Sequence, residues 1–282
     1  MCRFVAYLGS EILLDDILVK PTNSIIMQSL HARETNIPTN GDGFGLGWYA
    51  PTITEEPALF TSVSPAWNDR NLLNLTAIIK SPCFFAHVRA ASLAGVTSYN
   101  CHPFVYGKWM LMHNGSISDF LSVKRHLRHL LDDDIYNWIQ GETDSEHLFA
   151  LFLQLAKGKN LNKISVVADV LQATFNLINA LVEKYAYENA SYFNVCLTDG
   201  KCLIASRYCT AENTMPESLH YFVGTSLQKY FEIQGLAPKA ALISSEKLTN
   251  FNADWQDVPA NHFLLIGENH QIELRPIENI VS

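Results

Sequence analysis

Cys2 follows the initiator methionine directly, and an apolar run begins immediately after it in the stretch MCRFVAYLG. Removal of one residue would place a thiol and an α-amino group on the same residue. Because an α-amino group titrates at about pH 8, it could take the thiol proton and produce the reactive thiolate. The alternative is that Cys2 is a small buried residue in a first strand. This position therefore predicts either an N-terminal nucleophile or an ordinary strand residue.

Two residues of opposite charge stand at places suited to binding an amino acid. Arg89 ends an apolar strand in AHVRAAS, and a guanidinium there can bind a carboxylate through two parallel hydrogen bonds. Asp144, in GETDSEH, stands in the first turn of a predicted helix and could bind an ammonium group. The alternatives are a structural ion pair for Arg89 and a favourable interaction with the helix dipole for Asp144.

The stretch HNGS offers hydrogen-bond donors for a developing negative charge. The side-chain amide of Asn114 and the backbone N–H of Gly115 could converge on one point, as in an oxyanion hole. The alternative is an ordinary Asn-Gly turn, because this pair tolerates the positive φ that tight turns require. On that interpretation a strand over WMLMH runs into a turn at Asn114.

Glycines alternate in GDGFGLGW, at positions 41, 43, 45 and 47. Alternate residues of a strand share one face, so this face would carry no side chains and would admit either another backbone or a ligand. The spacing differs from that of a dinucleotide-binding loop, and no helix signal follows it.

Periodicity predicts strands first, then helices, then strands again. Helices are expected over 117–131, 143–156 and 163–186, and Thr143 and Glu146 have capping-box spacing. Predicted strands precede and follow them, in the stretches CRFVAYLG, FGLGWYAP, CFFAHVRA, WMLMHNG, SYFNVCLT, KCLIASRY, LHYFVG, AALIS, HFLLIG and QIELRPI. This order predicts an α+β layered fold, which we expect to be a single domain over residues 1–282.

Composition excludes several classes of function. The chain is 48% hydrophobic with a net charge of −8, which disfavours binding to nucleic acid or to an anionic membrane. No apolar run approaches the roughly 20 residues of a membrane helix, and no signal peptide is evident, so we expect a cytoplasmic protein. The six cysteines form no C-x-x-C pair, and we expect most of them to be buried; we predict no metal and no cofactor.

Six stretches, taken in order, resemble the class II glutamine amidotransferases, which are N-terminal nucleophile hydrolases. They are MCRFVAYLG, GDGFGLGW, HVRAAS, NCHPF, HNGS and ETDSE, within residues 2 to about 150. The resemblance implies the four-layer αββα sandwich of this superfamily. It makes Cys2 the nucleophile and the Cys2 amine the base, and it gives the oxyanion hole to Asn114 and Gly115.

The resemblance also implies how the substrate is held. Arg89 would bind the α-carboxylate of glutamine, Asp144 would bind its α-ammonium, and His102 lies near the pocket without an assigned role. Amino-sugar-forming members of the family have Arg-Trp-Ala-Thr-His, whereas this chain has Arg-Ala-Ala-Ser-Leu over residues 89–93. The bulky tryptophan is absent, so we expect a wider pocket mouth.

The chain also resembles small stand-alone members, because no acceptor domain of a larger synthase follows. These members include γ-glutamyl hydrolases of ergothioneine synthesis and the amidotransferase-like subunit of a glutathione-degrading complex. We therefore expect a small-molecule substrate, with γ-glutamyl compounds favoured slightly over glutamine. The alternatives are an ammonia-supplying subunit that acts with a partner synthase, another N-terminal cysteine amidase, and a non-catalytic binding subunit.

Overall fold

The computed structural model describes residues 2–36, 38–91, 94–187, 190–212, 214–224, 240–250 and 255–278. The strands are β1 (Arg3–Leu13), β2 (Phe44–Trp48), β3 (Ala58–Ser62), β4 (Lys80–Val88), β5 (Phe104–Tyr106), β6 (Trp109–Ser116), β7 (Tyr192–Thr198), β8 (Leu203–Arg207), β9 (His220–Gly224), β10 (Ala240–Ser244), β11 (Gln256–Asp257), β12 (His262–Ile266) and β13 (Ile272–Pro276). The α-helices are α1 (Asp15–Leu18), α2 (Ile25–Leu30), α3 (Arg70–Thr76), α4 (Phe120–Arg128), α5 (Asp133–Trp138), α6 (Asp144–Ala156) and α7 (Ile164–Tyr185).

The strands form two antiparallel sheets. The first sheet has seven strands in the order β11-β9-β10-β1-β4-β2-β3, and the second has six in the order β13-β12-β8-β7-β6-β5. One hydrophobic core lies between the sheets, a second lies between the first sheet and helices α1 to α3, and a third lies between the second sheet and helices α4 to α7. This arrangement confirms the predicted α+β fold with αββα layers.

Strand β1 shows why its sequence is apolar at nearly every position. Phe4 and Ala6 belong to the core between the sheets, whereas Val5 and Tyr7 belong to the core beneath the outer helices. Because alternate residues point to opposite faces, a strand covered on both sides needs apolar residues throughout. β1 pairs with β4 on one side and with β10 on the other, so it is an interior strand of the sheet. Cys2, the residue before it, therefore lies at the end of an interior strand.

The alternating glycines of β2 admit another part of the backbone. A Cβ at Gly45 would collide with the carbonyl of His102, and one at Gly47 would lie 2.8 Å from the Pro103 ring. The glycine face therefore lets the segment before β5 pack closely against the sheet. Of the two interpretations of this motif, close backbone packing is confirmed.

The predicted turn at Asn114 and Gly115 is wrong. β6 continues to Ser116, and the two residues pair with Asn194 and Phe193 of β7. Neither Asn114 nor Gly115 has a positive φ. A neighbouring strand supplies β-ladder partners here, and this pairing outweighs the local preference of Asn-Gly for a turn.

The predicted capping box at the start of α6 is half formed. The Thr143 hydroxyl accepts the Glu146 N–H at 3.1 Å, as expected. The Glu146 carboxylate instead accepts the N–H groups of Gln140 and Gly141, at 2.9 and 2.8 Å. The side chain thus fixes the loop before the helix and not the N-cap residue itself.

Helix α7 is long and apolar enough to span a membrane by length and composition alone. The sequence-based expectation that no segment has this property was therefore too strict. One face of α7, including Val167, Leu171 and Phe175, belongs to the core above the second sheet. A core helix passes the same test of length and composition, so α7 is weak evidence for a membrane span.

Candidate active site

Cys2 lies immediately before β1, and its side chain is half-buried. Its Sγ atom is 3.4 Å from the backbone nitrogen of Ala90, which donates to it, and 3.6 Å from the carbonyl oxygen of Ala90. Burial raises the pKa of the thiol, although the hydrogen bond from Ala90 and the positive charges of Arg89 and Arg3 oppose this shift. The sulfur is therefore a protonated thiol at neutral pH and needs a base to become a nucleophile.

A buried ion pair holds the backbone of Cys2 in place. The Nε atom of Arg3 is 2.9 Å from Oε1 of Glu246, and both side chains are almost completely buried. Arg3 also donates to the carbonyl oxygens of Cys2 and Glu34, each at 3.0 Å. Glu246 in turn accepts the N–H groups of Arg33 and Glu34. The sequence analysis did not find this pair, because its members are 243 residues apart.

Arg89 follows the end of β4 and is buried, with 4% of its surface exposed. Its guanidinium donates to the carbonyl oxygens of Ala94 and Gly95, at 2.9 and 3.1 Å. Within the described part of the chain no carboxylate lies within ion-pair distance of it. A buried guanidinium without a carboxylate partner is costly, so this group is suited to binding an anionic ligand.

Asp144 is the first residue of α6, as predicted. One carboxylate oxygen accepts the N–H of Ile117 at 2.8 Å, and the other accepts the N–H of Ser145 at 2.9 Å. These bonds fix the orientation of the carboxylate at the helix N-terminus. Each oxygen retains lone-pair capacity, so the group can still accept from an ammonium.

His102 lines the same cavity as Cys2 and belongs to a pair of stacked imidazoles. The centre of its ring is 4.1 Å from that of His87, and its ring nitrogens have no hydrogen-bond partner among the described residues. Burial lowers the pKa of His102 well below its usual value and lowers that of His87 to about 3. Both rings are neutral near pH 7, so neither carries a positive charge for substrate binding.

Asn114 and Gly115 point to opposite faces of β6. Asn114 shares its face with Met110 and Met112, which belong to the core between the sheets, whereas Gly115 lines a cavity on the other side. Asn114 is buried, does not line that cavity, and has no hydrogen-bond partner among the described residues at either end of its amide. Of the two predicted oxyanion donors, the structure therefore brings only Gly115 to the cavity that Cys2 lines.

One cavity of about 160 Å³ brings together five of the six predicted site residues. They are Cys2, Arg89, His102, Gly115 and Asp144. The volume is below the roughly 300–1,000 Å³ of pockets for drug-sized ligands, so the cavity suits a group about the size of an amino acid. Among the described residues no cluster of three or more potential ligands could hold a metal ion.

His113 is a further site residue to which the sequence analysis gave no role. Its two ring nitrogens lie 2.9 Å from the Ser145 hydroxyl and 2.8 Å from the carbonyl oxygen of Tyr192. The carbonyl can only accept, so that nitrogen carries the proton and the other accepts from Ser145. The ring thus links β6 to the start of α6, next to Asp144. In the sequence, the one signal for a role of His113 was its position directly before Asn114.

The comparisons with known proteins identify the family of this chain. Residues 16–275 match the family described as class II glutamine amidotransferases. The chain belongs to this family. The match to the family begins after Cys2, but the likeness to a probable glutamine amidotransferase, DUG3 of Saccharomyces cerevisiae, is 36% identity over 98% of this chain and 84% of that protein.

Other relatives of this chain cover less of it or show the fold alone. A γ-glutamyl-hercynylcysteine sulfoxide hydrolase of Mycobacterium tuberculosis is 29% identical over 42% of this chain and 50% of its own length. A class II domain protein from Silicibacter pomeroyi superposes with a TM-score of 0.70 at 24% identity, over 98% of this chain and all of that one. A phosphoribosylpyrophosphate amidotransferase from B. subtilis superposes with a TM-score of 0.63 at 13% identity, over 98% of this chain and 49% of its own.

Proposed function

We propose that this protein hydrolyses the side-chain amide of glutamine or of a γ-glutamyl compound through a thioester on Cys2. The observation that carries the proposal is one small cavity lined by a thiol and by two oppositely charged groups, Arg89 and Asp144. These charges match the α-carboxylate and α-ammonium of a free amino-acid head. The products are glutamate and either ammonia or an amine.

The first half-reaction forms the thioester. After removal of Met1, the amine of Cys2 takes the thiol proton, and the sulfur attacks the amide carbonyl carbon. The carbonyl oxygen becomes an oxyanion, which Asn114 and Gly115 stabilise; one such donor contributes about 3–4 kcal/mol in comparable sites. The carbon–nitrogen bond then breaks, and the leaving amine takes the proton from the N-terminal amine.

The second half-reaction releases the product. Water attacks the thioester carbon, and the N-terminal amine accepts a proton from that water. The carbon–sulfur bond then breaks, glutamate leaves, and the N-terminal ammonium returns the proton to the sulfur of Cys2. The nucleophile, the base and the oxyanion donors all come from this chain, so the proposed reaction requires no metal or cofactor. The reducing environment of the cytoplasm, where we place the protein, would keep the thiol free.

The part of the cavity that would receive the leaving amine favours γ-glutamyl compounds over glutamine. Ala90 and Ala91 line the cavity where the amino-sugar-forming enzymes carry a tryptophan and an alanine. A small residue leaves room for a leaving group larger than ammonia. One relative is named for hydrolysis of a γ-glutamyl compound, which agrees with this preference.

The test compares free and blocked amino-acid heads. Glutamine, a γ-glutamyl dipeptide and N-acetylglutamine are assayed for release of glutamate or N-acetylglutamate. Acetylation removes the ammonium that pairs with Asp144, so we expect kcat/KM for N-acetylglutamine to be at least about 30-fold lower than for glutamine. Equal rates on blocked and free heads would contradict the roles of Arg89 and Asp144 and would favour a general N-terminal cysteine amidase.

Intact-mass spectrometry tests the nucleophile separately. We expect loss of Met1 and a single adduct with a glutamine-analogue electrophile, and a Cys2→Ala variant should form no adduct. A chain that keeps Met1 and forms no adduct would instead be a non-catalytic binding subunit.

The second candidate is an ammonia-supplying subunit that acts with a separate synthase, which the likeness to a probable glutamine amidotransferase of yeast favours. In that case glutamine alone would react, and its hydrolysis would accelerate when the partner protein is present.

A further inference from the structure

A group of cationic side chains adjoins the candidate active site on helix α4. Leu121 and Lys124 line the cavity that holds Cys2, and they also line a neighbouring depression of about 320 Å³. Arg125 and Arg128 line the same depression. Positions 121, 124, 125 and 128 are spaced so that they share one face of a helix. The rim of the cavity therefore opens onto a surface with three positive charges.

Among the described residues, no carboxylate forms an ion pair with the charged groups on this surface. Lys124 and Arg125 have no hydrogen bond or ion pair there, and Arg128 donates to the neutral ring of His147 at 2.8 Å. By contrast, Lys157 contacts both Asp132 and Asp134. A group of cationic side chains without carboxylate partners is unusual beside the candidate active site of a chain whose net charge is −8.

The size of the cavity determines which part of a substrate meets these charges. At about 160 Å³, with Arg89 and Asp144 on its wall, it has room for the γ-glutamyl portion and the first atoms of the amine portion. The amine portion of a larger substrate must extend beyond the rim. On the α4 side that path passes Leu121 and Lys124 and leads into the cationic depression.

We propose that Lys124 selects γ-glutamyl amides whose amine portion carries a negative charge, with Arg125 and Arg128 adding to the attraction. This inference rests on the proposed hydrolysis at Cys2. Glu142 and Asp144 also line the cavity, and Glu146 interacts electrostatically with Lys124 and Arg128, so these carboxylates oppose the attraction. The described lining of the depression itself holds three cations and no carboxylate. Lys124 acts as a specificity-determining residue and takes no part in bond breaking.

The experiment compares γ-glutamylglycine with γ-glutamylglycinamide, which differ only in a terminal carboxylate. We expect the wild-type protein to prefer γ-glutamylglycine in kcat/KM, chiefly through a lower KM. Lys124→Met keeps the length of the side chain but removes its charge, and it should reduce the preference about five-fold. Lys124→Arg should retain the preference, and raising the salt concentration should weaken it in the wild type. Lys159→Met is the matched control, because Lys159 is exposed and lines none of these cavities.

Each other outcome overturns the inference in a distinct way. Equal kcat/KM for the two compounds in the wild type would show that the cationic surface does not contact the substrate. An equal loss on both compounds and on glutamine in Lys124→Met would place Lys124 at the glutamyl head. Failure of the wild type to hydrolyse any of the three would remove the proposed function, and this inference with it.

Discussion

Two buried arginines lie at the same end of the first sheet and differ in what neutralises them. Arg3 opens β1 and pairs in register with Val88, the residue before Arg89. Each nitrogen of the Arg3 guanidinium donates to an oxygen of the chain, and one of these oxygens belongs to the Glu246 carboxylate. Within the part of the chain that the structure describes, Arg89 donates only to the carbonyl oxygens of Ala94 and Gly95.

This difference separates a structural region from a functional one. Around Arg3 the fold compensates the buried charge itself, which fixes the backbone of Cys2. Around Arg89 no compensating carboxylate lies among the described residues, and the His102 ring of the same cavity has no hydrogen-bond partner there either. A protein that leaves such groups unpartnered loses stability there, and a bound substrate can restore it.

The largest expected effect is on the reaction itself. Cys2→Ala should lower kcat by at least about 10⁴-fold, because no other group can form the thioester. Thermal unfolding should be nearly unchanged, since the thiol makes only weak contacts with Ala90. Cys202→Ala is the control, because Cys202 is equally half-buried and does not line the active-site cavity. Turnover comparable to wild type in Cys2→Ala would remove the nucleophile assignment.

The largest expected effect on stability belongs to the structural region. Glu246→Gln leaves Arg3 buried without its counter-charge, and breaking a buried pair in this way costs about 3–5 kcal/mol of unfolding free energy. Urea denaturation measures this loss. Asp169→Asn removes a carboxylate from an exposed pair with Arg275 and should cost less than about 1 kcal/mol. Similar losses of unfolding free energy in the two variants would mean that the Arg3–Glu246 pair contributes no more to stability than an exposed ion pair.

The role of Asn114 can be separated from substrate binding. If its amide stabilises the oxyanion, Asn114→Ala should lower kcat by about 10²- to 10³-fold with little change in KM. Steady-state kinetics with glutamine and a γ-glutamyl dipeptide provide the measurement. A higher KM at constant kcat would make Asn114 a binding residue and place the oxyanion hole elsewhere.

A smaller effect should distinguish Arg89 from Arg3. Arg89→Lys keeps a positive charge but loses the two parallel hydrogen bonds, so KM should rise about 10-fold while stability changes little. Arg3→Lys should show the reverse pattern, with a loss of stability and an unchanged KM in the molecules that remain folded. Kinetics and urea denaturation of both variants decide the comparison.

A last effect concerns stability in acid, at the buried His87. Burial lowers the pKa of His87 from 6.5 to about 3, so between these values the unfolded chain binds a proton that the folded chain does not. Stability therefore falls as the pH falls, by about 1.4 kcal/mol per pH unit from this residue. His87→Phe should remove that slope, as measured by urea denaturation from pH 7 to pH 4. The exposed His31, changed to Gln, is the control; an unchanged slope in His87→Phe would contradict the assignment.

Much of the architecture was predictable from local patterns. The strands β2, β7, β8, β9, β10, β12 and β13 and the three longer helices α4, α6 and α7 lie within the predicted stretches, and β1, β4 and β6 extend beyond theirs. Their apolar or periodic sequences leave few alternatives. The short helices α1, α2, α3 and α5 and the strands β3, β5 and β11 were not predicted, because these short segments show no clear periodicity of their own.

The sequence by itself determined the types and order of the chemical groups, namely a cysteine at position 2, an arginine after an apolar strand and an aspartate opening a helix. These follow from local composition, and they identify the family. Only the tertiary structure decided that Asn114 and Gly115 lie within a strand, that Arg3 pairs with Glu246, and that the cationic face of α4 adjoins the cavity. Each of these depends on contacts between residues distant in the sequence, and such contacts are fixed by the packing of both sheets and not by local preference.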